Sequence, residues 1–156
     1  MEFTPEIKKA TQPIYQKVSK TIPEIEWSTH APYIYEINKL KKEKNAVILA
    51  HNYQTPEIYH GISDFSADSL ALAVEAAKTK ADIIVMCGVH FMAETAKLMS
   101  PNKKVLLPDM RAGCSLSSSI TGEDVKNLKK QNPDVTVVSY ENKTEDVKSE
   151  KDVCFT

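Results

Sequence analysis

The chain contains 156 residues, of which 42% are apolar and 26% are charged, and 20 Lys and Arg against 21 Asp and Glu give a net charge of −1. This composition is typical of a globular protein with one modest core, and it excludes a disordered or fibrous chain and a global positive field for nucleic acid or anionic lipid. No apolar run approaches the ~20 residues that span a bilayer, and no signal peptide is visible. We therefore expect a cytoplasmic protein with neither nucleic-acid nor membrane partners.

The first 44 residues are rich in lysine and proline. After Pro32, the spacing of apolar residues predicts a short amphipathic helix. The residues on its apolar face are Tyr33, Ile34, Ile37 and Leu40. We interpret residues 1–44 as an N-terminal helical appendage, and no internal repeat is apparent in the chain.

From residue 45 onward, short apolar runs alternate with helical patterns. The runs predict four strands, at 46–50, 83–87, 105–107 and 135–138. The intervening patterns predict three helices, at 67–80, 92–99 and 121–131. Strands that are apolar on both faces and alternate with helices are typical of a parallel sheet covered by helices. The predicted fold class is therefore α/β, as a three-layer αβα sandwich.

Polar side chains follow the predicted strands, and ligands of such sheets bind outside the carboxyl ends of the strands. His51 and Tyr53 follow the first strand, where alternation in an extended segment puts both on one side. Imidazole and phenol suit general acid–base catalysis, although a hydrogen-bonded pair at the rim is the commoner role. Tyr140 and Asn142 share a side after the fourth strand in the same way.

Asp68 and Ser69 stand near the start of the first long helix. Such residues usually only cap the helix. The amide-rich helix terminus could equally receive a carboxylate, with the Ser69 hydroxyl as a further donor. With Tyr140 and Asn142 as neutral donors, these residues suit a small dicarboxylate, and both interpretations stay open.

The three cysteines contain no C-x-x-C pair, which excludes a local zinc knuckle or a thioredoxin motif. Cys114 lies in a turn of small and polar residues, where a thiolate beside Arg111 could reach a metal or where the cysteine could simply be buried. Cys87 and Cys154 lie among strand residues, so we expect both to pack in the core.

The four glycines form no G-x-G-x-x-G or Walker loop, so dinucleotide and nucleotide triphosphate folds lose their main support. Gly88 and Gly113 stand where a backbone without Cβ lets the chain turn tightly and approach a bulky ligand. Glu94 and Lys97, three residues apart, predict a surface ion pair. The lysine-rich segment 143–151 predicts a solvated helix face.

Five motifs follow one another along the chain: AHNYQ at 50–54, DSLAL at 68–72, CGVHFMAETAK at 87–97, PD at 108–109 with AGCS at 112–115, and Y-x-N at 140–142. Together they resemble the quinolinate synthase family, the A protein of NAD biosynthesis. The resemblance implies a pseudo-threefold fold of three similar α/β lobes. It assigns residues 45–114 to the first lobe and residues 115–156 to an incomplete second lobe.

The resemblance implies an enzyme that condenses iminoaspartate with dihydroxyacetone phosphate and releases phosphate and two waters to give quinolinate. Aspartate oxidase is implied as the upstream supplier of iminoaspartate. Tyr53 and His51 match positions that serve acid–base steps. The positions that match iminoaspartate ligands are His51, Ser69, Tyr140, Glu141 and Asn142.

The family uses a [4Fe–4S] cluster held by three cysteines, which leaves one iron open. Cys114 matches the first of these ligands, whereas Cys87 and Cys154 match none. The resemblance therefore implies that this chain alone neither holds a stable cluster nor turns over. Two departures from the family pattern are Ala67, usually glycine, and 117–118, which read Ser-Ser instead of Ala-Asp.

Two other functions are weighed against this one. A non-catalytic α/β binding module resembling a phosphorylation receiver would use Asp109 as acceptor, but it needs a pair of acids after the first strand, where the chain has His51 and Tyr53. A metal hydrolase would use His51, His60 and His90, which lack the spacing of known zinc motifs.

Overall fold

The computed structural model of the chain describes residues 1–155. Its helices are α1 (Pro5–Val18), α2 (Glu24–Glu43), α3 (Pro56–Tyr59), α4 (Ser69–Lys78), α5 (His90–Met99), α6 (Gly122–Gln131) and α7 (Glu145–Glu150). Its strands are β1 (Ala46–His51), β2 (Phe65–Ala67), β3 (Ile83–Cys87), β4 (Lys104–Leu106), β5 (Val138–Tyr140) and β6 (Val153–Phe155). None of the helices within residues 1–155 combines the length and the apolar character needed to cross a bilayer.

A four-stranded parallel sheet forms the centre of the first lobe, in the order β2-β1-β3-β4. The predicted strands at 46–50, 83–87 and 105–107 are confirmed to within one residue. β2 was not predicted, because its three residues form no apolar run and its pairing with β1 defines it. Since the sheet is parallel, its carboxyl ends lie along one edge.

Helices cover both faces of this sheet, which confirms the three-layer αβα sandwich. Leu49 faces one layer, where it packs in a cluster with residues of α4 and α5 such as Leu72 and Phe91. Its neighbours Ile48 and Ala50 face the opposite layer, where Ile37 of α2 and Ile58 of α3 cover them. Alternation along β1 therefore buries apolar side chains on both sides, as the apolar run predicted.

The N-terminal helices α1 and α2 pack around the buried Trp27. The helix predicted after Pro32 begins eight residues earlier, at Glu24, and includes that proline in its interior. Trp27 and Ala31, 2% and 0% exposed, lie on the added turns, and their burial offsets the hydrogen bond that the proline removes. Because α2 also covers the sheet, the predicted appendage contributes one layer of the sandwich. The boundaries of the predicted domains stay predictions.

The second lobe contains β5 and β6 as a two-stranded parallel sheet, with α6 and α7 beside it. A capping box between Thr121 and Asp124 begins α6, which confirms the helix predicted at 121–131. The strand predicted at 135–138 begins only at Val138, where pairing with Val153 starts. The last residue of the predicted second lobe, Thr156, lies outside the described residues.

Candidate active site

His51 and Tyr53 are in contact at the carboxyl end of β1. Their ring centroids are 4.1 Å apart and the rings are tilted by 38°. This contact confirms that the two side chains share one side of the chain after the strand. Tyr53 is 54% exposed, so a ligand can reach the pair from solvent.

The His51 ring is neutral and has a defined tautomer. The Tyr53 backbone N–H donates to His51 Nδ1 at 3.4 Å. Because Nδ1 accepts, the neutral ring carries its proton on Nε2. Burial lowers the pKa of His51, and the negative charge of Asp68 opposes that shift. His51 can therefore donate a hydrogen bond from Nε2 at neutral pH.

The Tyr53 phenol stays protonated and lies near Gly88 and Cys114. Burial raises the pKa of Tyr53, and the negative charge of a thiolate at Cys114 would raise it further. A Cβ at Gly88 would lie 2.7 Å from Met92 Sδ and 3.8 Å from Tyr53 Oη, so the backbone there is close to side chains of the protein itself, and the approach of a ligand stays a prediction. A Cβ at Gly113 would meet nothing in residues 1–155 closer than 3.7 Å, so no contact there requires glycine.

Cys114 is half-buried in the loop after β4, and its side chain packs against the apolar cluster beneath α4 and α5. The predicted cation, Arg111, is 91% exposed in its side chain and pairs with Asp109 at 3.0 Å. Hydrogen bonds from Arg111 hold the pKa of Asp109 below its ordinary value. The guanidinium is therefore committed to Asp109, and Cys114 remains a half-buried thiol beside Tyr53.

The other two cysteines differ from each other. Cys87 is 8% exposed, and burial raises the pKa of its thiol, which confirms the prediction of core packing. Cys154 is exposed on β6, so the same prediction is wrong for this residue. The reason is that β6 belongs to a sheet of two strands, whose faces are incompletely covered within residues 1–155.

Asp68 caps α4, since its side chain accepts a hydrogen bond from the Ala71 N–H at 2.9 Å. This confirms the capping interpretation for Asp68. Ser69 is the first residue of α4 and is half-buried. Because α4 follows β2 directly, Ser69 lies at the same edge of the sheet as His51. Its role as a substrate ligand stays a prediction.

The segment 140–142 alternates between open and buried side chains. Tyr140 ends β5, is 41% exposed and contacts Phe155 with ring centroids 5.4 Å apart. Asn142 is half-buried, whereas Glu141 between them is 6% exposed. Tyr140 and Asn142 therefore share the accessible side, and Glu141 points into the protein.

Lys148 holds the Glu141 carboxylate, and sequence reasoning missed this residue. The Lys148 side chain is 11% exposed and its Nζ lies 3.3 Å from Glu141 Oε1. The prediction of a solvated helix face over 143–151 is therefore wrong at this position. No feature of the sequence distinguishes Lys148 from the other lysines of that segment, because its burial depends on α5 packing against α7.

The other charged and histidine residues considered in the sequence make different contacts. Glu94 does not pair with Lys97 as predicted, because its Oε1 lies 3.5 Å from His90 Nδ1 while Lys97 donates to backbone carbonyls. His60 is exposed. Within residues 1–155, no three His, Cys, Asp or Glu side chains converge as a metal site. No contact favours the histidine hydrolase or the receiver, whose acceptor Asp109 binds Arg111 instead.

The comparison with protein families bears on which family the chain belongs to. The family model described as quinolinate synthetase A protein matches residues 35–156, which is most of the chain. The chain belongs to this family. Membership in the quinolinate synthetase A protein family confirms the resemblance carried by the five motifs, and it makes the chain part of an enzyme family of NAD biosynthesis.

Curated relatives agree with the quinolinate synthetase A assignment. The chain is 60% identical to the quinolinate synthase of Caulobacter vibrioides over 154 residues, which are 99% of the chain and 42% of the relative. It is 58% identical to the Sinorhizobium medicae quinolinate synthase over 156 residues, all of the chain and 44% of the relative. The chain therefore spans less than half the length of these relatives.

Proposed function

We propose that this chain carries the amino-terminal part of a quinolinate synthase. The reaction joins iminoaspartate to dihydroxyacetone phosphate and releases phosphate and two waters, so four carbons and three carbons give the seven of quinolinate without an added oxidant. The observation that carries the proposal is the match of a single family over residues 35–156. The contact between His51 and Tyr53 at the carboxyl end of β1 supports it.

The proposed iminoaspartate ligands are neutral donors. His51 would donate from Nε2, Ser69 and Tyr140 from hydroxyls, and Asn142 from its amide. Hydrogen bonds to a charged acceptor contribute ~1.5 to 3 kcal/mol each, so such a set suits a dianion without a fixed cation. Glu141, which matches a position of the same set, has its carboxylate turned toward Lys148.

Tyr53 is the proposed proton donor, with His51 as its partner. The raised pKa of Tyr53 keeps the phenol protonated at neutral pH, and the lowered pKa of His51 keeps the imidazole neutral, with Nε2–H free to donate to the substrate. Loss of two waters requires protons to move to leaving hydroxyls and away from carbon or nitrogen. The two rings in contact suit such transfers.

Cys114 is the proposed ligand of a [4Fe–4S] cluster. A half-buried thiol is a soft donor of the kind that iron–sulfur clusters take, and Cys114 lies beside Tyr53. When bound, such a cluster supplies a Lewis acid for a substrate oxygen. Since Cys87 is in the core, we expect two further ligands from the part of the relatives that this chain does not match.

Aspartate oxidase is the proposed supplier of iminoaspartate, and the cytoplasm is the proposed location. Both proposals come from the resemblance to the family. Iminoaspartate hydrolyses readily in water because an imine carbon is open to attack. A supplier in the same compartment would therefore shorten its exposure to solvent.

A chimaera tests the proposed function. The 154 residues of this chain that match the Caulobacter relative would replace the matching part of that protein, and the product would be expressed in a bacterium that lacks quinolinate synthase. We expect growth without added pyridine nucleotide precursors, and quinolinate formation by the purified protein under anaerobic conditions. Failure of a well-folded chimaera to form quinolinate would contradict the proposal.

Two variants of the chimaera test the ligand assignment. Cys114→Ala should abolish the visible absorbance of the reconstituted iron–sulfur protein, whereas Cys154→Ala should retain it. Colour that survives Cys114→Ala would contradict the assignment of Cys114. Quinolinate formation by the 156-residue chain alone would contradict our expectation that the chain does not turn over.

A further inference from the structure

A buried ammonium joins the two lobes. Lys148 Nζ donates to Thr95 Oγ1 at 2.8 Å and to Glu145 Oε1 at 3.1 Å. It also lies 5.5 Å from the centre of the Phe91 ring, within the range of a cation–π interaction. Phe91 and Thr95 belong to α5 of the first lobe, so Lys148 connects α7 of the second lobe to that helix.

The same ammonium binds a residue of the proposed substrate segment. Glu141 Oε1 lies 3.3 Å from Lys148 Nζ, and the Glu141 side chain is 8% exposed. Glu141 stands between Tyr140 and Asn142, and its backbone N–H donates to the Phe155 carbonyl at 2.8 Å. Because Glu141 is bonded to Tyr140 and Asn142 along the backbone, a displacement of the Glu141 side chain also displaces these two residues.

We infer that Lys148 is a positioning residue, which holds the Tyr140–Asn142 segment against the first lobe through Glu141. This inference rests on the proposed function for its link to iminoaspartate, but the connection between the lobes stands on the contacts alone. Lys148 does not touch the reacting atoms in this role. It fixes the second-lobe ligands relative to α5, the helix that follows β3.

The charges explain why a cation is needed at this position. Glu141 and Glu145 both face Lys148, and both carboxylates are largely removed from water. Removing one partner of a buried ion pair leaves an uncompensated buried charge. Without the ammonium, Glu141 would move toward water and carry Tyr140 and Asn142 with it. An arginine would keep the charge, whereas a methionine would keep only the packing.

Hydrogen exchange in the 156-residue chain tests the connection without any assay of activity. Lys148→Met should speed the exchange of the Glu141 and Lys143 amides at least about tenfold and leave the β1 and β3 amides within about twofold, because opening is local. Lys148→Arg should largely restore slow exchange. Lys126→Met is the matched control, since Lys126 pairs with Glu150 on the exposed side of the second lobe.

Unchanged exchange in Lys148→Met, or equal acceleration in both lobes, would overturn the inference. If that variant does not fold, Glu141→Gln removes the charge while it keeps the side-chain length. Glu141→Gln should speed the hydrogen exchange of the same amides by a smaller factor. No local change in Glu141→Gln would also overturn the inference.

Kinetics of the chimaera test the consequence for substrate. With iminoaspartate formed in situ, Lys148→Met should raise KM at least about tenfold, since losing one hydrogen bond to a charged acceptor can cost about tenfold or more in affinity. The kcat at saturation should fall less than KM rises, and Lys148→Arg should restore KM. A normal KM in Lys148→Met would overturn the link to substrate. An inactive parent chimaera would contradict the proposed function and leave the exchange result to decide the connection.

Discussion

The first and second lobes are built on the same unit, a helix, a strand, a short helix and a second strand, yet they bury very different cores. In the first lobe, Leu49, Leu72 and Ile84 are 0% exposed and belong to one large cluster. In the second, the buried apolar side chains within residues 1–155 are Val125 and Val147. The second lobe therefore keeps the same arrangement of helices and strands as the first although it buries much less apolar surface.

Each unit has an aspartate just before its second strand, and this aspartate accepts hydrogen bonds from a backbone N–H and from a lysine. Asp64 accepts hydrogen bonds from the Ile48 N–H and from Lys41 Nζ, each at 2.8 Å. Asp152 accepts one from a backbone N–H just before β5 at 2.8 Å and one from Lys129 Nζ at 2.7 Å. Each lysine also donates to a backbone carbonyl near its aspartate. The polar contacts are therefore common to both lobes, whereas the apolar core is not.

The repetition places proposed ligands at equivalent positions. His51 pairs in register with Ala67, and Tyr140 pairs with Phe155, each at the end of its strand. The proposed ligands of the two lobes thus occupy the same place in the unit. No internal repeat is apparent in the sequence, because the two copies share burial and polar contacts more than residue identities.

Leu49 and Val138 test the difference in cores, because they occupy equivalent register positions opposite Phe65 and Val153. Leu49 is 0% exposed and Val138 is 55% exposed. We expect Leu49→Ala to lower the free energy of unfolding by ~2 to 5 kcal/mol, from lost burial and the cavity left behind. Val138→Ala should change it by about 0.5 kcal/mol or less. Urea unfolding followed by circular dichroism measures both, and similar losses would break the comparison.

The two aspartates test the shared contacts. Asp64→Ala should lower the free energy of unfolding by ~2 kcal/mol, since Lys41 is 11% exposed in its side chain and loses a charged partner. Asp152→Ala should lower it less, because Lys129 is 36% exposed. Thermal or urea unfolding provides the measurement. A larger loss for Asp152→Ala would show that the second lobe depends on this contact more than the first.

The effect of Asp152→Ala should depend on pH. Hydrogen bonds from Lys129 and from the Val137 N–H lower the pKa of Asp152. A carboxyl group with a lowered folded pKa stabilises the protein above its unfolded pKa, and that contribution is lost as the pH falls through the folded value. The difference in free energy of unfolding between the parent chain and Asp152→Ala should therefore be largest at pH 7 and vanish in acid. A difference that grows in acid would contradict this sign.

Thiol reactivity compares the lobes through their cysteines. Cys154 is exposed, Cys114 is half-buried, and Cys87 is buried with a raised pKa. We expect an aromatic disulfide reagent to modify Cys154 first and Cys87 last, at least about tenfold more slowly, since the reaction needs an accessible thiolate. Single Cys→Ser variants assign each phase of the absorbance trace. Fast modification of Cys87 would contradict its place in the core.

His51 gives the smallest expected effect. Its folded pKa should lie below the ordinary value of about 6.5, because burial disfavours the imidazolium. Asp68→Asn keeps the helix cap and removes the opposing charge, so it should lower the pKa further. Since the unfolded chain binds the proton more readily, His51 should reduce stability as the pH falls through 6.5. NMR titration, with His51→Gln to assign the resonance, measures the shift, and a raised pKa would contradict it.

Most of the first lobe follows from its sequence. Apolar runs such as 46–50 and 83–87 predict strands because they are buried on both faces, and the intervening helices follow from their spacing. The pattern fails where tertiary contacts define an element. β2 exists through pairing with β1, and α2 extends across Pro32 because Trp27 and Ala31 are buried.

The candidate site is predictable to a similar degree. The residues after each strand identify His51 and Tyr53, and their contact follows from alternation. The buried partner of Glu141 could not be predicted, since one lysine among several becomes buried only when α5 meets α7. The prediction that Cys154 packs in the core was wrong because an apolar strand pattern predicts burial even where no layer covers the strand.

The two-stranded sheet has a practical consequence for handling the chain. Val138, Tyr140, Val153 and Phe155 are each 41% or more exposed, and each strand has a free edge within residues 1–155. Exposed apolar strands with unpaired backbone groups favour association between copies. We therefore expect light scattering to rise with protein concentration, so constants measured on this chain should come from dilute samples and be checked by dilution.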